Sequence, residues 1–469
     1  MIVTATIPAI SRPVYRSTLG LNIENAFTKV QPPFWNDPLT DQGVVALGIN
    51  SFRYPGGTIA NYWDWKKGWV QAGVSPISAN LLPVPPPADS LPSFSQLVKP
   101  GNGIPVFDLN VMTFQGRIAT NADDPAMIQD QVNFLKSAQQ LGLSIRLIEL
   151  GNEFYLQKPD YQKRFSDGAS YAQEMNVWIP TLKKEFPEAK IAVVGAAYSD
   201  LSDPRQSGWN QEVLANIAKP DAMQLHIYEQ PTVASAEPAW LLSQVFDLWP
   251  KLKATYIDPL GRRGIEAWIT EFDLLDQNAD VHLAASWFHA LYLSEMLIQF
   301  LSEPTVTHVD FYNMAGSSTR HVAVYSGNEK LGPLGIVPQA GTLSASGLAL
   351  AIFGRAMRGS SRAAPLTFGG APLVTAVSGS PMFSSKSYPS IAGIQLITVT
   401  TPQSLIVNFS SQPITVSLSS IGGNQMETLA APDLSTIVSS SDSVSRTTVA
   451  ISGDSIVAAP YSINRIYTQ

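Results

Sequence analysis

Two glutamates stand where a chain could perform acid–base chemistry. Glu153 closes the run Ile148-Glu149-Leu150-Gly151-Asn152-Glu153, and Glu271 sits in Trp268-Ile269-Thr270-Glu271-Phe272-Asp273, 118 residues further on. Two carboxylates facing each other across a cleft are what glycosidic cleavage requires: one protonates the leaving oxygen while the other attacks the anomeric carbon or activates water. Either glutamate alone reads first as an ordinary loop acid, but the two together, one of them inside Gly-Asn-Glu, point to catalysis. Alternation along a strand groups Glu149 with Glu153 and Glu271 with Asp273, so parity does not choose within either pair. Position does: Glu149 lies below the strand end, where an unpaired carboxylate is costly to bury, whereas Glu153 lies where solvent and substrate meet.

The elements that must position these acids are legible as a repeat. Short runs rich in β-branched residues alternate with helical patterns from about residue 17 to residue 357, the signature of βα units around a parallel sheet. The strand candidates are Ser17–Glu24, Ser51–Gly57, Ile104–Thr113, Ile145–Glu153, Lys190–Ala197, Ala222–Glu229, Glu266–Asp273 and Val306–Gly316. Eight such units close a (β/α)₈ barrel, whose functional groups sit at the C-terminal strand ends. Asp124-Pro125 predicts one helix start, with Ile128, Val132 and Leu135 at helical spacing before Gly142. Ser170 with Gln173 predicts a capping box for the next helix, Pro180 a kink in it, and Asp280 a cap for the helix after strand seven.

The connection after strand two is long and Pro-rich from Pro76 to Pro100, an excursion expected to overhang the upper face. Its Trp63, Trp65 and Trp69 have two readings, a wall on which sugar rings stack or an anchor to the core. From Arg362 to Gln469 the chain holds 108 residues with eight charged ones and many Ser, Thr, Val and Ile, a β-sandwich composition. Strand candidates there are Ile394–Thr400, Ser404–Phe409, Ile414–Leu418 and Ile456–Ile463. The run Ile2–Ile7 precedes the barrel and is expected to pair into the sandwich. The fold class is therefore α/β: a (β/α)₈ TIM barrel over residues 17–358 with an accessory C-terminal β-sandwich, 359–469, that includes the N-terminal strand within residues 1–16.

At this point the chain resembles a known group. Leu150-Gly151-Asn152-Glu153 after a fourth strand and Thr270-Glu271 after a seventh resemble the acid/base and nucleophile of clan A glycoside hydrolases. Arg53-Tyr54-Pro55-Gly56-Gly57-Thr58 resembles the Arg-x-Gly-Gly-Thr region of the heparanase-like β-glucuronidases of glycoside hydrolase family 79. The resemblance implies a retaining enzyme with Glu153 as general acid then base and Glu271 as nucleophile, their carboxyls about 5 to 5.5 Å apart. It gives Asn152 to the sugar 2-hydroxyl and Tyr228 to a hydrogen bond on the nucleophile. It directs Glu24 and Asn25 at hydroxyls of the terminal sugar, a cap for the following loop being the other reading. Tyr312, Gly316 and Ser317, at the end of strand eight, fall where the glucuronidases hold the uronate with backbone amides and hydroxyls, with Asn313 and Ser318 beside them. Arg53 either favours an ionised Glu271 or salt-bridges another barrel acid. His226 reads first as a satisfied barrel histidine, and Arg117 and Arg320 first as surface cations, auxiliary cations for the site being the other reading. Phe154 departs from the family, which often has Pro after the acid/base glutamate.

The expectation is a retaining exo-acting β-glucuronidase, with a small or oligosaccharide glucuronide as substrate and an acidic pH optimum. The alternatives are another clan A glycosidase, a β-xylosidase or α-L-arabinofuranosidase, and a non-catalytic carbohydrate-binding barrel. Thirty Lys and Arg against thirty-seven Asp and Glu leave a charge of -7, which argues against nucleic acid and sulfated polymers as partners. The chain has no cysteine, hence no thiolate or Cys-based metal chemistry, and its five histidines form no ligand cluster in sequence; no cofactor or metal is expected. The apolar stretch from Leu283 to Leu301 is interrupted by polar residues and predicts a buried helix rather than a membrane span. The first twenty residues lack a signal-type apolar run, so a cytosolic chain, or one whose leader was removed, is expected.

Overall fold

The computed structural model describes residues 2–8, 11–15, 17–23, 37–74, 90–197, 203–229, 237–274, 282–316, 322–327, 329–331, 335–379, 383–398 and 401–469. Eight parallel strands close into a barrel: β1 (Leu19–Asn22), β2 (Ser51–Tyr54), β3 (Ile104–Asp108), β4 (Leu147–Glu149), β5 (Lys190–Val194), β6 (Ala222–Glu229), β7 (Glu266–Leu274) and β8 (Val306–Phe311). All eight candidates are present, and most are shorter than expected because their polar C-terminal residues turn into the upper loops. β4 is the clearest case. It ends at Glu149, so Glu153 belongs to the loop beyond and the parity argument does not reach it.

Alternation stacks the barrel interior in two layers. Val106, Leu147, Ala192, Ala222 and Trp268 form a dry apolar plug at the bottom. Two residues further along the same faces come Asp108, Glu149 and Gln224, so a polar layer lies directly on the plug. The outer helices are capped by short polar side chains. Asp37 accepts from Thr40 N ahead of Pro38–Leu47, Asp203 caps Pro204–Asn216, and Ser344 caps Ala345–Met357. The cap of Gly168–Glu185 is Asp167, with Ser170 as its third helical residue, and not Ser170 with Gln173; Pro180 lies inside that helix. The helix Asp124–Gln140 has Asp123 before it, one residue earlier than expected, and Asp280 lies outside the described residues.

The two largest remaining sheets form the expected β-sandwich. A four-stranded sheet orders Thr367–Gly369, Ile2–Thr6, Ile414–Ser417 and Ser455–Ala458; a seven-stranded sheet includes Arg12–Pro13, Ser360–Pro365, Ile391–Thr398, Gln403–Asn408 and Ser462–Tyr467. Ile2–Thr6 runs parallel to Ile414–Ser417 and antiparallel to Thr367–Gly369, so the chain's beginning is built into this unit. Val3, Ala5, Ile406, Val416, Ile456 and Ile466 fill the space between the sheets. The run Ile456–Ile463 is two strands with a turn at Pro460 and Tyr461, because proline has no donor for a ladder. The buried helix Trp287–Ser302 packs between barrel and sandwich, and Trp287 Nε1 donates to Tyr461 O at 2.7 Å. Among the described residues no helix is long and apolar enough to cross a membrane.

Candidate active site

The site is built on a buried cation. Arg53, at the third position of β2, is fully enclosed in the polar layer and spends its guanidinium on four elements at once. Nε donates to Glu149 at 2.6 Å, Nη1 to Glu271 at 2.7 Å, and Nη2 to Asp108 at 2.9 Å and to Asn152 Oδ1 at 2.8 Å. The planar fork suits several carboxylates at fixed angles, and their charges hold its proton more tightly than usual against the opposing effect of burial. Arg53 thus pairs with Glu271 and also with two other barrel acids. Glu149, set aside because an unpaired acid is costly at that depth, is buried with a partner.

Glu271 rises from the opposite wall. β6 and β7 slip register between Leu225 and His226, so that Leu225 faces Ile269 while His226 faces Glu271, leaving Thr270 as the extra residue of a bulge. Such bulges re-aim a side chain beside a functional site. Glu271 accepts from Tyr228 on Oε2 at 2.5 Å, while Asp273, two residues on, meets His289 at 2.6 Å on the buried helix. Burial first, and the neighbouring Glu271 charge second, raise the Tyr228 phenol well above its usual range, so it stays a donor.

Glu153 is held differently. Gly151, φ +86°, takes a left-handed turn in which an added Cβ would fall 2.2 Å from the Phe154 ring, so glycine is required there. Glu153 itself adopts φ +51°, an uncommon conformation for a residue with a side chain. The loop tolerates it because it is pinned on all sides. Asn61 brackets Asn152, accepting from its N–H at 2.9 Å and donating to its carbonyl at 2.7 Å, and Gln224 donates to Gly151 O at 2.5 Å. Tyr171 donates to Leu150 O at 2.8 Å, and the Phe154 ring packs edge-on against Phe165 and Tyr161.

The two glutamates meet through His226. Its Nδ1 lies 3.0 Å from Glu153 Oε1 and 3.5 Å from Glu271 Oε2, and Tyr155 donates to the same Glu153 oxygen at 3.1 Å. One oxygen of each carboxylate and the imidazole nitrogen all lie within 4.8 Å of one another. That set would also suit a divalent cation, although the hydrogen bonds account for the spacing as it stands. Burial by itself would raise the Glu153 carboxyl. The hydrogen bond and charge of His226, helped by Lys158 and Tyr155, outweigh burial and bring it down to about 2. His226 is moved up in turn: burial lowers it, and the charges of Glu271 and Glu153 more than compensate. The two groups thus favour each other's charged forms, the imidazolium beside the Glu153 carboxylate.

Of the other residues read from the sequence, Asn152 is brought into the site. Its Oδ1 is held by Arg53, and its buried Nδ2 has no partner among the described residues. Tyr312 packs edge-on against Tyr228, with ring centroids 6.1 Å apart, and joins Asn313 through a cis peptide. Gly316 ends a two-residue strand, Ala315–Gly316, paired with Val324–Tyr325. Glu24, Asn25 and Ser317 lie outside the described residues, as do Ser318 and Arg320. Arg117 forms an exposed pair with Asp123. Trp63 is buried, Trp69 leans on it, and Trp65 stacks on Phe134 and donates to Asp130, which favours the anchor reading for this group. Sequence reasoning missed Asn61, Asp108 and Gln224, and it undervalued His226, although alternation from Tyr228 places His226 on the same inward face.

No protein-family description and no curated protein sequence matches the chain. Solved structures do. The chain is similar along 100% of both lengths to the thermostable GH51 α-L-arabinofuranosidase from Thermotoga petrophila RKU-1, with a TM-score of 0.71 at 14% identity. It is similar to a 4-O-α-L-rhamnosyl-β-D-glucuronidase from Fusarium oxysporum 12S over 99% of each chain, TM-score 0.62 and 14% identity. The catalytic domain of GH30 xylanase C from Talaromyces cellulolyticus matches over 100% of each, with a TM-score of 0.56 at 13% identity. At this identity the likeness speaks for the fold: a closed eight-stranded barrel with an added β-sheet domain.

Proposed function

We propose that the protein is a retaining glycoside hydrolase of exo action, and that its substrate carries a terminal β-linked glucuronic acid. The observation that carries the reading is the pair Glu153 and Glu271, with one oxygen of each within 4.8 Å of the other across the barrel mouth. Retaining enzymes place their carboxyls about 5 to 5.5 Å apart and inverting ones about 6.5 to 9.5 Å, and an approach this close supports the retaining reading. Glu271, between a permanent cation and a phenol, is the nucleophile: it attacks the anomeric carbon and forms the glycosyl-enzyme. Glu153 protonates the departing oxygen and then deprotonates the water that frees the sugar. The proton reaches Glu153 from His226, because substrate entering the cleft separates groups that share it in the free protein. Asn152 Nδ2 offers its unspent hydrogen bond to the sugar 2-hydroxyl, a contact that strengthens as positive charge develops on the ring.

Glucuronic acid is favoured by the Arg53-to-Thr58 motif and by the similarity to the Fusarium glucuronidase. A second reading, α-L-arabinofuranosidase, is favoured by the higher TM-score to the Thermotoga enzyme. Hydrolysis of 4-nitrophenyl β-D-glucuronide beside the α-L-arabinofuranoside, β-xyloside and β-glucoside separates them. Turnover of the glucuronide alone is the expected result, and preference for the arabinofuranoside would replace the substrate while keeping the catalytic pair. No turnover of any would return the protein to the carbohydrate-binding alternative.

A further inference from the structure

Two β-hairpins on the upper rim enclose a cavity of about 230 Å³. The first pairs Trp63–Asp64 with Trp69–Val70 and follows β2; the second pairs Thr113–Phe114 with Arg117–Ile118 and follows β3. Gln71, just beyond the first hairpin, reaches across to the second: its Nε2 donates to Thr113 O at 3.2 Å, and its Oε1 accepts from Gly116 N at 2.8 Å. At Gly116 an added Cβ would fall 2.4 Å from Ala72 O, so this approach of the two chains requires glycine. The walls are thus fixed before any ligand arrives. Hydrogen bonds also tie them to the catalytic loop. Thr113 Oγ1 donates to Asn61 O at 2.9 Å and Asn110 to Trp63 O at 3.0 Å, and Asn61 in turn clasps Asn152.

The lining selects a class of ligand. Half-buried Phe114 and buried Trp63 give the cavity aromatic walls, and the Trp63 indole N–H meets no acceptor among the described residues. Two positive and two negative side chains complete it, already joined as Lys66 with Asp130 at 2.7 Å and Lys67 with Asp64 at 3.5 Å. The charges cancel, so the cavity favours neither an anion nor a cation. What it presents is donors and acceptors in alternation beside a flat ring. A neutral sugar is the complement, with hydroxyls around its edge and C–H groups on its face. Gln115 supports this assignment. It stands at φ +52° beside Gly116 at φ +78°, a turn position that favours Asn or Gly. A glutamine there holds a strained backbone and brings an amide, both donor and acceptor, to the cavity.

We propose that this cavity is a second carbohydrate site, which binds one neutral pyranose unit other than the unit cleaved between Glu153 and Glu271. The binding stands by itself; its use in holding the rest of a substrate glycan rests on the glycosidase reading above. The test titrates methyl β-D-glucopyranoside, methyl β-D-galactopyranoside and methyl β-D-xylopyranoside into the wild-type chain, Phe114→Ala and Gln115→Gly, followed by saturation-transfer NMR of the sugar. At least one glycoside should saturate the wild type with a Kd of about 1 to 10 mM. Phe114→Ala should weaken it about tenfold and Gln115→Gly about threefold. Glycine relieves the strained turn, so Gln115→Gly keeps the fold and its loss of binding is a loss of the amide. Hydrolysis of the aryl glycosides should keep its kcat/KM within about twofold in both variants. A wild type that no glycoside saturates by about 50 mM, or binding unchanged in folded Phe114→Ala or in Gln115→Gly, overturns the site. Absence of aryl glycoside turnover would instead overturn the catalytic reading, with the sugar titration unaffected.

Discussion

The two sides of the cleft hold their carboxylates by different means. Glu271 stands on a strand and takes a donor on each oxygen, one from a guanidinium that never loses its charge and one from a phenol that stays protonated. Glu153 stands on a loop, in a left-handed conformation, tied to an imidazole that titrates. Its side chain is also the more open, 17% exposed against 6% for Glu271. The difference matches two jobs. A nucleophile must be ionised whenever it attacks, whereas an acid/base must change protonation twice in each turnover.

The sharpest way to break the comparison is to neutralise each acid in turn. Glu271→Gln should lower kcat/KM by about ten-thousand-fold on every aryl glycoside, because no covalent intermediate forms without the attacking oxygen. Glu153→Gln should be as severe on a disaccharide, whose leaving oxygen needs a proton, and milder on a 4-nitrophenyl glycoside, whose leaving group departs unaided. Equal losses of Glu153→Gln on both substrates would remove the general-acid role.

Next in size is the cation beneath both. Arg53→Met leaves Glu149, Asp108 and Glu271 without their shared counter-charge, and truncating one member of a buried ionic network costs about 3 to 5 kcal/mol. Urea unfolding of the variant should show a loss of that order, together with lost activity. A variant of native stability would mean that the acids relax to water and that Arg53 does not organise the floor.

How much of this arrangement the sequence exposed depends on how local each cause is. Glu153, Glu271, Asn152 and Tyr228 are recognisable because each sits beside a strand end that a short motif marks. The N-terminal strand and the sandwich follow from composition and β-branched runs. Asn61 was invisible, since its value comes from clasping a backbone 91 residues away. The pairing of Glu149 was hidden for the same reason, its partner Arg53 lying 96 residues earlier. The bulge at Thr270 leaves no residue signature, because it is a mismatch between two strands and belongs to neither.

The titratable tie at Glu153 gives a smaller, pH-resolved effect. His226 is raised above its usual value near 6.5, so the trio keeps its proton past that pH and kcat/KM should fall only as pH rises through the raised imidazole value. In His226→Asn the proton has only the Glu153 carboxyl to occupy. The falling limb should move to lower pH, and the maximum should drop by about ten- to a hundredfold. A limb that stays in place in the variant would show that the proton comes from elsewhere.

The comparison extends to glutamates that meet no cation among the described residues. Behind β6, Glu229 accepts from Tyr292 at 2.6 Å, and Glu295, on the same helix as Tyr292, accepts from Gln299 at 3.0 Å. Both are buried, and burial with only neutral donors raises each to about 8, against a depression to about 2 for the imidazole-paired Glu153. In the unfolded chain these carboxyls titrate near about 4.3. Between those values the folded protein binds more protons than the unfolded one, so stability declines as pH rises from about 4.3 to about 8. Glu229→Gln and Glu295→Gln keep an acceptor for Tyr292 and Gln299 while removing the titration. Each should flatten the fall of Tm across that window by a few degrees, with little change at its acid end where the native carboxyls are already neutral. An undiminished slope in the double variant would mean that the carboxyls are ionised in the fold, and that a counter-charge reaches them as one reaches Glu153.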